Sequence, residues 1–513
     1  MLNIGFGWAS LVLVGVFTVL LNIFIVKYYS DRHQSETLTT VVTVIALSIT
    51  LLCVLVIPVD ILNVSTMSNA AGNHTINQHD IDQRNLSIAV TYYILYSLII
   101  LFALIIIPFV YFYYEEDDVD VSIRDRVVGA CKYTAFLVVF TVVMLVVGIF
   151  IRPGSSKPVG NENVKDWIQT EILSQNAAQG SLMFSVAILT LLGFVVWMVY
   201  TAYGLAAMPI DMIKGMRRLS DDRRQISESL YDTRSQASYY SSKYASGKTM
   251  SAKEEHTLSL LRSKERALEK HSERMEASHS GLRRILIVFK PFTFIFGFFF
   301  LLVSILIVIS IMLSLIDKVT NSICGSSCGF LTDYPKLKNP IDLLLQSTAP
   351  YFPLDYIILG LFIVYIYAVT VSGVVKIGIR FLWIKLYEFN AQKTMPQGLL
   401  LCSILLMLSN LCLNLQIVQL APQYSMFGTQ VWYNATSDSI EPCSINAPAD
   451  SCVMTQIGLI TSRIVMGTNF FGIIYYYATW AIIGAFLIGS IIAVVKRRRS
   501  NIVSYADDSD EEI

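Results

Sequence analysis

Nine stretches of the chain are apolar for long enough to cross a bilayer as helices. They run at about residues 6–26, 41–62, 91–114, 133–151, 181–204, 291–315, 356–375, 399–420 and 468–495. A hydrocarbon core of ~30 Å is spanned by roughly 20 apolar residues in a helix. The pattern predicts an all-α, polytopic integral membrane protein with nine transmembrane helices. It divides the sequence into helices 1–5 (1–204), a polar loop (205–290), helices 6–9 (291–495) and a basic-then-acidic tail (496–513). Composition agrees, at 54% hydrophobic and 15% charged residues with a formal net charge of zero. Such a chain has no electrostatic footprint for nucleic acid.

Charge also sorts the loops. Of the 38 Lys and Arg residues, 30 fall in 27–40, 115–132, 205–290, 376–398 and 496–513, which are alternate loops. By the positive-inside rule these face the cytosol, so the N-terminus is luminal and the C-terminus cytoplasmic. The glycosylation acceptors agree. Asn63, Asn73, Asn85 and Asn434 each begin an N-x-[ST] triplet, and all four lie on the opposite side. Asn63 is the least favoured because it abuts the end of helix 2. Lys27 and Arg32 follow the first apolar run and no basic residue precedes it. A cleaved signal needs its positive charge in front, so helix 1 reads as an uncleaved anchor.

The eight cysteines divide by compartment. Cys53, Cys402 and Cys412 fall inside apolar helices, and Cys131 lies at the start of helix 4. Cys324, Cys328, Cys443 and Cys452 are luminal, where disulfides form. Four thiols allow three pairings. The local pairs are favoured, Cys443–Cys452 above all, because Pro448 and its neighbouring turn residues bring the ends together. A zinc site is disfavoured, since no luminal His accompanies either pair at ligand spacing.

The 205–290 segment opens with a basic helix around Lys214, Arg217 and Arg218, then reads as a flexible Ser/Tyr-rich linker from Ser227 to Ser251. A charged helix from Glu254 to Ser278 follows, so a helical hairpin in the cytosol is expected. It is a candidate partner-docking element. In the tail, Ser504 and Ser509 each have an acidic residue three positions on, and are phosphorylation candidates.

A Pro-x-Asp pattern recurs at Pro58, Pro209, Pro340 and Pro353. Pro suits the first helical position and Asp the first turn, so each reads as a helix start, with Asn339 as an N-cap. The sharper alternative is that Asp60, Asp342 and Asp355 ring a luminal vestibule. Residues 340–350 are too short to span and suit an interfacial or re-entrant helix. Asn410 and Asn414 share one face of helix 8, with Gln416 and Gln419 beyond. They read as interhelical glue ahead of a substrate path. The apolar cores hold almost no ionisable side chain, which argues against an ion-coupled carrier. The chain has no phosphate loop, no H-E-x-x-H pair and no G-x-S-x-G elbow, so no enzyme is expected.

Several blocks carry a family resemblance: Ile107–Glu116 after Tyr92–Tyr96, Tyr200–Gly204, Phe352–Tyr356, Trp383–Tyr387, Ala421–Tyr424, the Cys443…Cys452 loop and the acidic Asp507–Glu512. In these the chain resembles the limb-region-type multi-pass membrane proteins, in particular the lysosomal cobalamin transporters among them, from helix 1 to the tail. The resemblance implies nine spans, a lysosomal membrane location, and export of cobalamin (vitamin B12) to the cytosol with an ABC transporter as partner. It also implies links to a clathrin adaptor and a cell-surface receptor, with presence at the plasma membrane or endocytic vesicles. It transfers no vitamin-binding residue, and cobalamin enters as transported ligand and not as catalyst. Two function classes follow. The helices themselves form the vitamin path, or the chain is a scaffold that traffics the ABC transporter or an endocytic receptor.

Overall fold

The computed structural model describes residues 2–30, 37–68, 78–116, 122–150, 176–244, 257–266, 290–322, 335–381, 384–387, 394–434, 438–448, 450–467 and 469–495, with a few single residues between. Among them nine helices are long and apolar enough to cross a membrane. The elements are α1 (Leu2–Tyr29), α2 (Thr37–Ser65), α3 (Gln78–Leu101), α4 (Ile107–Glu115), α5 (Ile123–Phe150), α6 (Ala177–Val196) and α7 (Ala202–Tyr244). They continue as α8 (Lys290–Thr320), α9 (Pro340–Thr348), α10 (Leu354–Ile377), α11 (Pro396–Leu420), α12 (Pro422–Phe427), α13 (Gln456–Gly467) and α14 (Asn469–Val495). Two π-helical turns, Phe102–Ile106 and Trp197–Thr201, join α3 to α4 and α6 to α7, so each pair is one continuous span.

The described residues are mostly helical, as expected, with one addition. Two antiparallel hairpins are present, β1 (Ile379–Phe381) with β2 (Ile384–Tyr387), and β3 (Val431–Asn434) with β4 (Ser439–Pro442). Both are short connections between helices, where the backbone pairs locally because no helix continues.

The chain forms two compact units. The first, Met1–Leu205 with Ser304–Gly489, is built around α11, in which every residue from Leu406 to Leu420 is buried. A helix enclosed on all sides is what an all-round apolar sequence produces, and α2 and α6 are its main neighbours. By contrast α1 and α5 turn Leu13, Phe17, Phe24, Phe136, Val139 and Phe150 outward, an apolar surface suited to lipid. Close approach between helices depends on glycine. A Cβ on Gly373 would lie 2.1 Å from the carbonyl oxygen of Tyr200, one on Gly204 2.2 Å from that of Val369, and one on Gly193 2.2 Å from that of Leu408. Small residues at such crossings let backbones meet.

The second unit comprises Ala206–Val303 and Ser490–Ile513. The Ser/Tyr-rich stretch is helical as far as Tyr244 and not a linker; straight-chain and aromatic side chains at this spacing continue α7 without a Gly or Pro to stop it. Residues 257–266 are also helical, and Arg234 Nε reaches Glu265 Oε1 at 2.8 Å, joining the two arms of a hairpin. That exposed pair contributes at most about 1 kcal/mol. Lys214 Nζ donates to the carbonyls of Ala493 and Val494 at 2.7 and 2.8 Å, satisfying last-turn acceptors of α14.

Candidate functional site

Two polar features stand out in the first unit: a seam of amides along α11, and a cap over one end of it formed by α12, β3–β4, the following loop and α13.

In the seam, Asn410 Nδ2 donates to the Thr50 carbonyl of α2 at 2.7 Å. Asn414 Nδ2 donates to Tyr96 OH at 3.1 Å and faces Cys53 Sγ at 3.5 Å. Gln416 Nε2 donates to Thr479 Oγ1 of α14 at 3.2 Å. Trp197 Nε1, in the second π turn, donates to the Ser409 carbonyl at 2.9 Å, and Ser314 Oγ to that of Gln419 at 2.6 Å. These bonds are the interhelical glue anticipated from the spacing. The side-chain oxygens of Asn410, Asn414, Gln416 and Gln419 are buried without a partner among the described residues. A row of bare acceptors suits bound water or a donor-bearing guest.

The cap is fastened by carboxylates. Asp60 of α2 accepts from the N–H groups of Gln456 and Ile457 at 3.1 and 2.8 Å, at the first turn of α13. Asp342 of α9 accepts from those of Gln423 and Tyr424 at 3.2 and 2.9 Å, the first turn of α12. Asp355 of α10 accepts from Tyr424 OH at 2.6 Å. A carboxylate at a helix N-terminus satisfies orphan donors and meets the positive end of the dipole. Burial nevertheless pushes the Asp342 carboxyl up to about 6, against the lowering effect of its two N–H partners. The Tyr424 hydroxyl is likewise pushed well above its ordinary value, first by burial and then by neighbouring Tyr356 and Asp355.

Asp317 of α8 accepts from Lys336 and Leu337 N–H, both at 3.2 Å. Asn339 caps α9 through Ile341 N–H at 3.0 Å and donates to Ser310 O and Ser314 Oγ, each at 3.0 Å. Gln430 exchanges two bonds with Val453, and Gln423 Nε2 donates to the Cys443 carbonyl. Cys443 and Cys452 are joined by a disulfide with Cα atoms 5.9 Å apart, which closes the loop.

The helix-start reading of the Pro-x-Asp pattern holds at Pro340 and Pro353, where α9 and α10 begin with Asp342 and Asp355 in their first turns and Asn339 as the N-cap of α9, and needs correcting at the other two positions. Pro58 and Pro209 lie inside α2 and α7, not at helix starts. The aspartates do not ring an open vestibule, since Asp60, Asp342 and Asp355 are buried and each holds an element distant in sequence. The available sequence signal was negative: α12 begins Ala421-Pro-Gln, with no capping side chain of its own, so its donors require an acceptor from elsewhere. Asn63 is buried in α2 and donates to Asn85 Oδ1 at 3.4 Å. Asn85 itself lies within α3, and Asn434 ends β3 with a 3.1 Å bond to Glu441. Asn73, Cys324, Cys328, Ser504 and Ser509 lie outside the described residues. Among the described residues no group of three metal-ligating side chains assembles.

Comparison with known proteins places these features in context. The profile of LMBR1-like membrane proteins matches residues 8–287. A Dictyostelium discoideum protein named "Probable lysosomal cobalamin transporter" is 57% identical over 512 residues, covering 100% of both chains. A Nematostella vectensis protein of the same name is 34% identical over 99% of this chain and 98% of its own. The Xenopus tropicalis "Lysosomal cobalamin transport escort protein LMBD1" is 32% identical over 95% of this chain and 93% of its own. No solved structure matches.

Proposed function

Because the chain belongs to the LMBR1-like membrane protein family, we propose that it is a multi-pass lysosomal membrane protein that serves the export of cobalamin to the cytosol by escorting an energised transporter. The observation that carries this reading is the end-to-end 57% identity to a relative named as a lysosomal cobalamin transporter. Two features favour escort over conduit. The amide donors of Asn410, Asn414 and Gln416 are engaged in holding α2, α3, α11 and α14 together. The sequence also has no phosphate loop of its own, so an ATP-driven step belongs to a partner, with an ABC transporter the fitting class. The charge bias orients the cap and the N-terminus toward the lumen, with 205–290 and the tail in the cytosol.

Cells lacking the protein are expected to accumulate free cobalamin in lysosomes and to run short of its cytosolic cofactor forms. Re-expression restores both, and the ABC partner co-purifies. Normal pools in such cells reject the role; defective receptor uptake would favour the endocytic scaffold with its clathrin adaptor. Purified protein alone in liposomes is expected to pass no labelled cobalamin, and flux there would restore the conduit. Protease added to intact lysosomes should cut 205–290 and spare 421–467; the reverse pattern overturns the orientation.

A further inference from the structure

Tyr424 is gripped at both ends by acids from two other helices. Its N–H donates to Asp342 Oδ1 and its O–H to Asp355 Oδ2. Both acids are buried, at 6% and 1% exposure. Among the described residues no cationic side chain is bonded to either acid. From α10 come Asp355 and Tyr356, and from α12 Tyr424 itself. The other helices packed on α12 are α2, α11 and α13. Of these, α2 brings Asp60, engaged with the start of α13, α11 brings only the thiols Cys402 and Cys412, and Arg463 of α13 is bonded to Tyr93 OH. Among the described residues Asp355 Oδ1 has no side-chain partner.

An ionised Asp355 would hold a full charge out of water with no counter-ion among the described residues, supported only by the Tyr424 hydroxyl and the backbone N–H groups at the first turn of α10, an arrangement that low-dielectric surroundings disfavour. A protonated Asp355 still accepts from Tyr424 through Oδ2 and carries its hydrogen on the bare oxygen. An unsatisfied hydroxyl is a much smaller penalty than an unpaired charge. We propose that the Asp342–Tyr424–Asp355 clamp is a proton-binding site, loaded from the water on the cap side, that fastens α12 and the disulfide loop to α9 and α10 in acid and slackens toward neutral pH. The elevated titration of Asp342 runs in the same direction. The proposal rests on the proposed function only for placing this face in an acidic lumen. In purified protein the pH is set by the buffer, so the clamp and the cobalamin role fail separately.

The test uses full-length protein in lipid nanodiscs. Hydrogen exchange of peptides covering 338–348 and 421–430, corrected for intrinsic rates, is compared at about pH 5 and about pH 7.5. Protection should be roughly tenfold or more greater in acid. Asp355→Asn, which keeps an acceptor for Tyr424 and cannot ionise, should lose less protection than the parent between the two, the remaining change following Asp342. Acid-minus-neutral infrared spectra of the parent should contain the carbonyl band of a protonated carboxylic acid, diminished in Asp355→Asn and in Asp342→Asn. Equal protection at the two pH values, greater protection at neutral pH, or a carboxylic acid band that both variants leave intact would overturn the proposal.

Discussion

Replacing Gly373 with Ala tests how far the bundle depends on backbone contact between α10 and the second π turn. The new Cβ would sit 2.1 Å from the Tyr200 carbonyl oxygen and 2.8 Å from its carbon. These are backbone atoms, so no side chain can swing away, and reaching ordinary contact requires the helices to part by about 1 Å in a close-packed interior. Overpacking of this kind destabilises by roughly 1–3 kcal/mol. Parting also strains the Thr201–Thr370 hydroxyl pair, at 3.0 Å, and the 3.4 Å bond from Tyr200 OH to the Gly378 carbonyl. Each such bond contributes about 0.5–1.5 kcal/mol. Ala in place of Gly recovers about 0.5–1 kcal/mol of backbone entropy, which leaves a net loss on the order of 2–4 kcal/mol. Gly360 lies on the same helix with nothing within 4 Å of its added Cβ, so Gly360→Ala gains the entropy without the clash. Thermal unfolding in one detergent, followed by tryptophan fluorescence, should rank Gly360→Ala at or above the parent and Gly373→Ala well below it. Coincident midpoints for the two variants would show that the crossing is loose and would refute the reasoning.

Asp342 makes stability depend on pH with a definite sign. It titrates at about 6 in the fold against an ordinary 3.8, so the folded chain keeps a proton that the unfolded chain has released. Its contribution, about 3 kcal/mol, is full below pH 3.8 and is lost as pH rises through about 6; unfolding midpoints across this window should fall, and Asp342→Asn should flatten the slope. Breaking the Cys443–Cys452 bridge, which closes a loop with sequence separation 9, should destabilise by roughly 2–3 kcal/mol in the loop-entropy picture, and equal melting with and without reductant would contradict it. Gln substitution should increase gel mobility at the glycosylation acceptors Asn73, Asn85 and Asn434 but leave it unchanged at Asn63, which is buried inside α2; glycan loss on Asn63→Gln would mean that α2 ends earlier.

The number of spans was legible in the sequence because hydrocarbon thickness sets a length and composition that local residues alone must meet. The amide pair on α11 was legible too, since Asn410 and Asn414 lie one helical turn apart and polar groups within a bundle must find partners. The Cys443–Cys452 pairing was favoured because Pro448 and its neighbouring turn residues can bring the ends together, and the structure has the two joined. What happens at helix ends was decided elsewhere. Pro58 looks like a start, but α2 carries on through it, because neighbouring elements enclose the freed backbone. The aspartates that follow Pro340 and Pro353 do lie in the first turns of α9 and α10, as expected, whereas Asp60 lies inside α2; what the sequence did not record is that all three carboxyls also reach other elements. Asp60 serves α13, nearly 400 residues on, with a sequence separation of 396 to Gln456, and Asp342 serves α12, 81 residues on at Gln423. Capping needs only an acceptor at the right point in space, and a sequence records which residues can accept without recording which donors the packed helices will bring to them. The grip on Tyr424 is of the same kind: each half is an ordinary hydrogen bond, and its uncompensated charge exists only once α9, α10 and α12 have come together out of water.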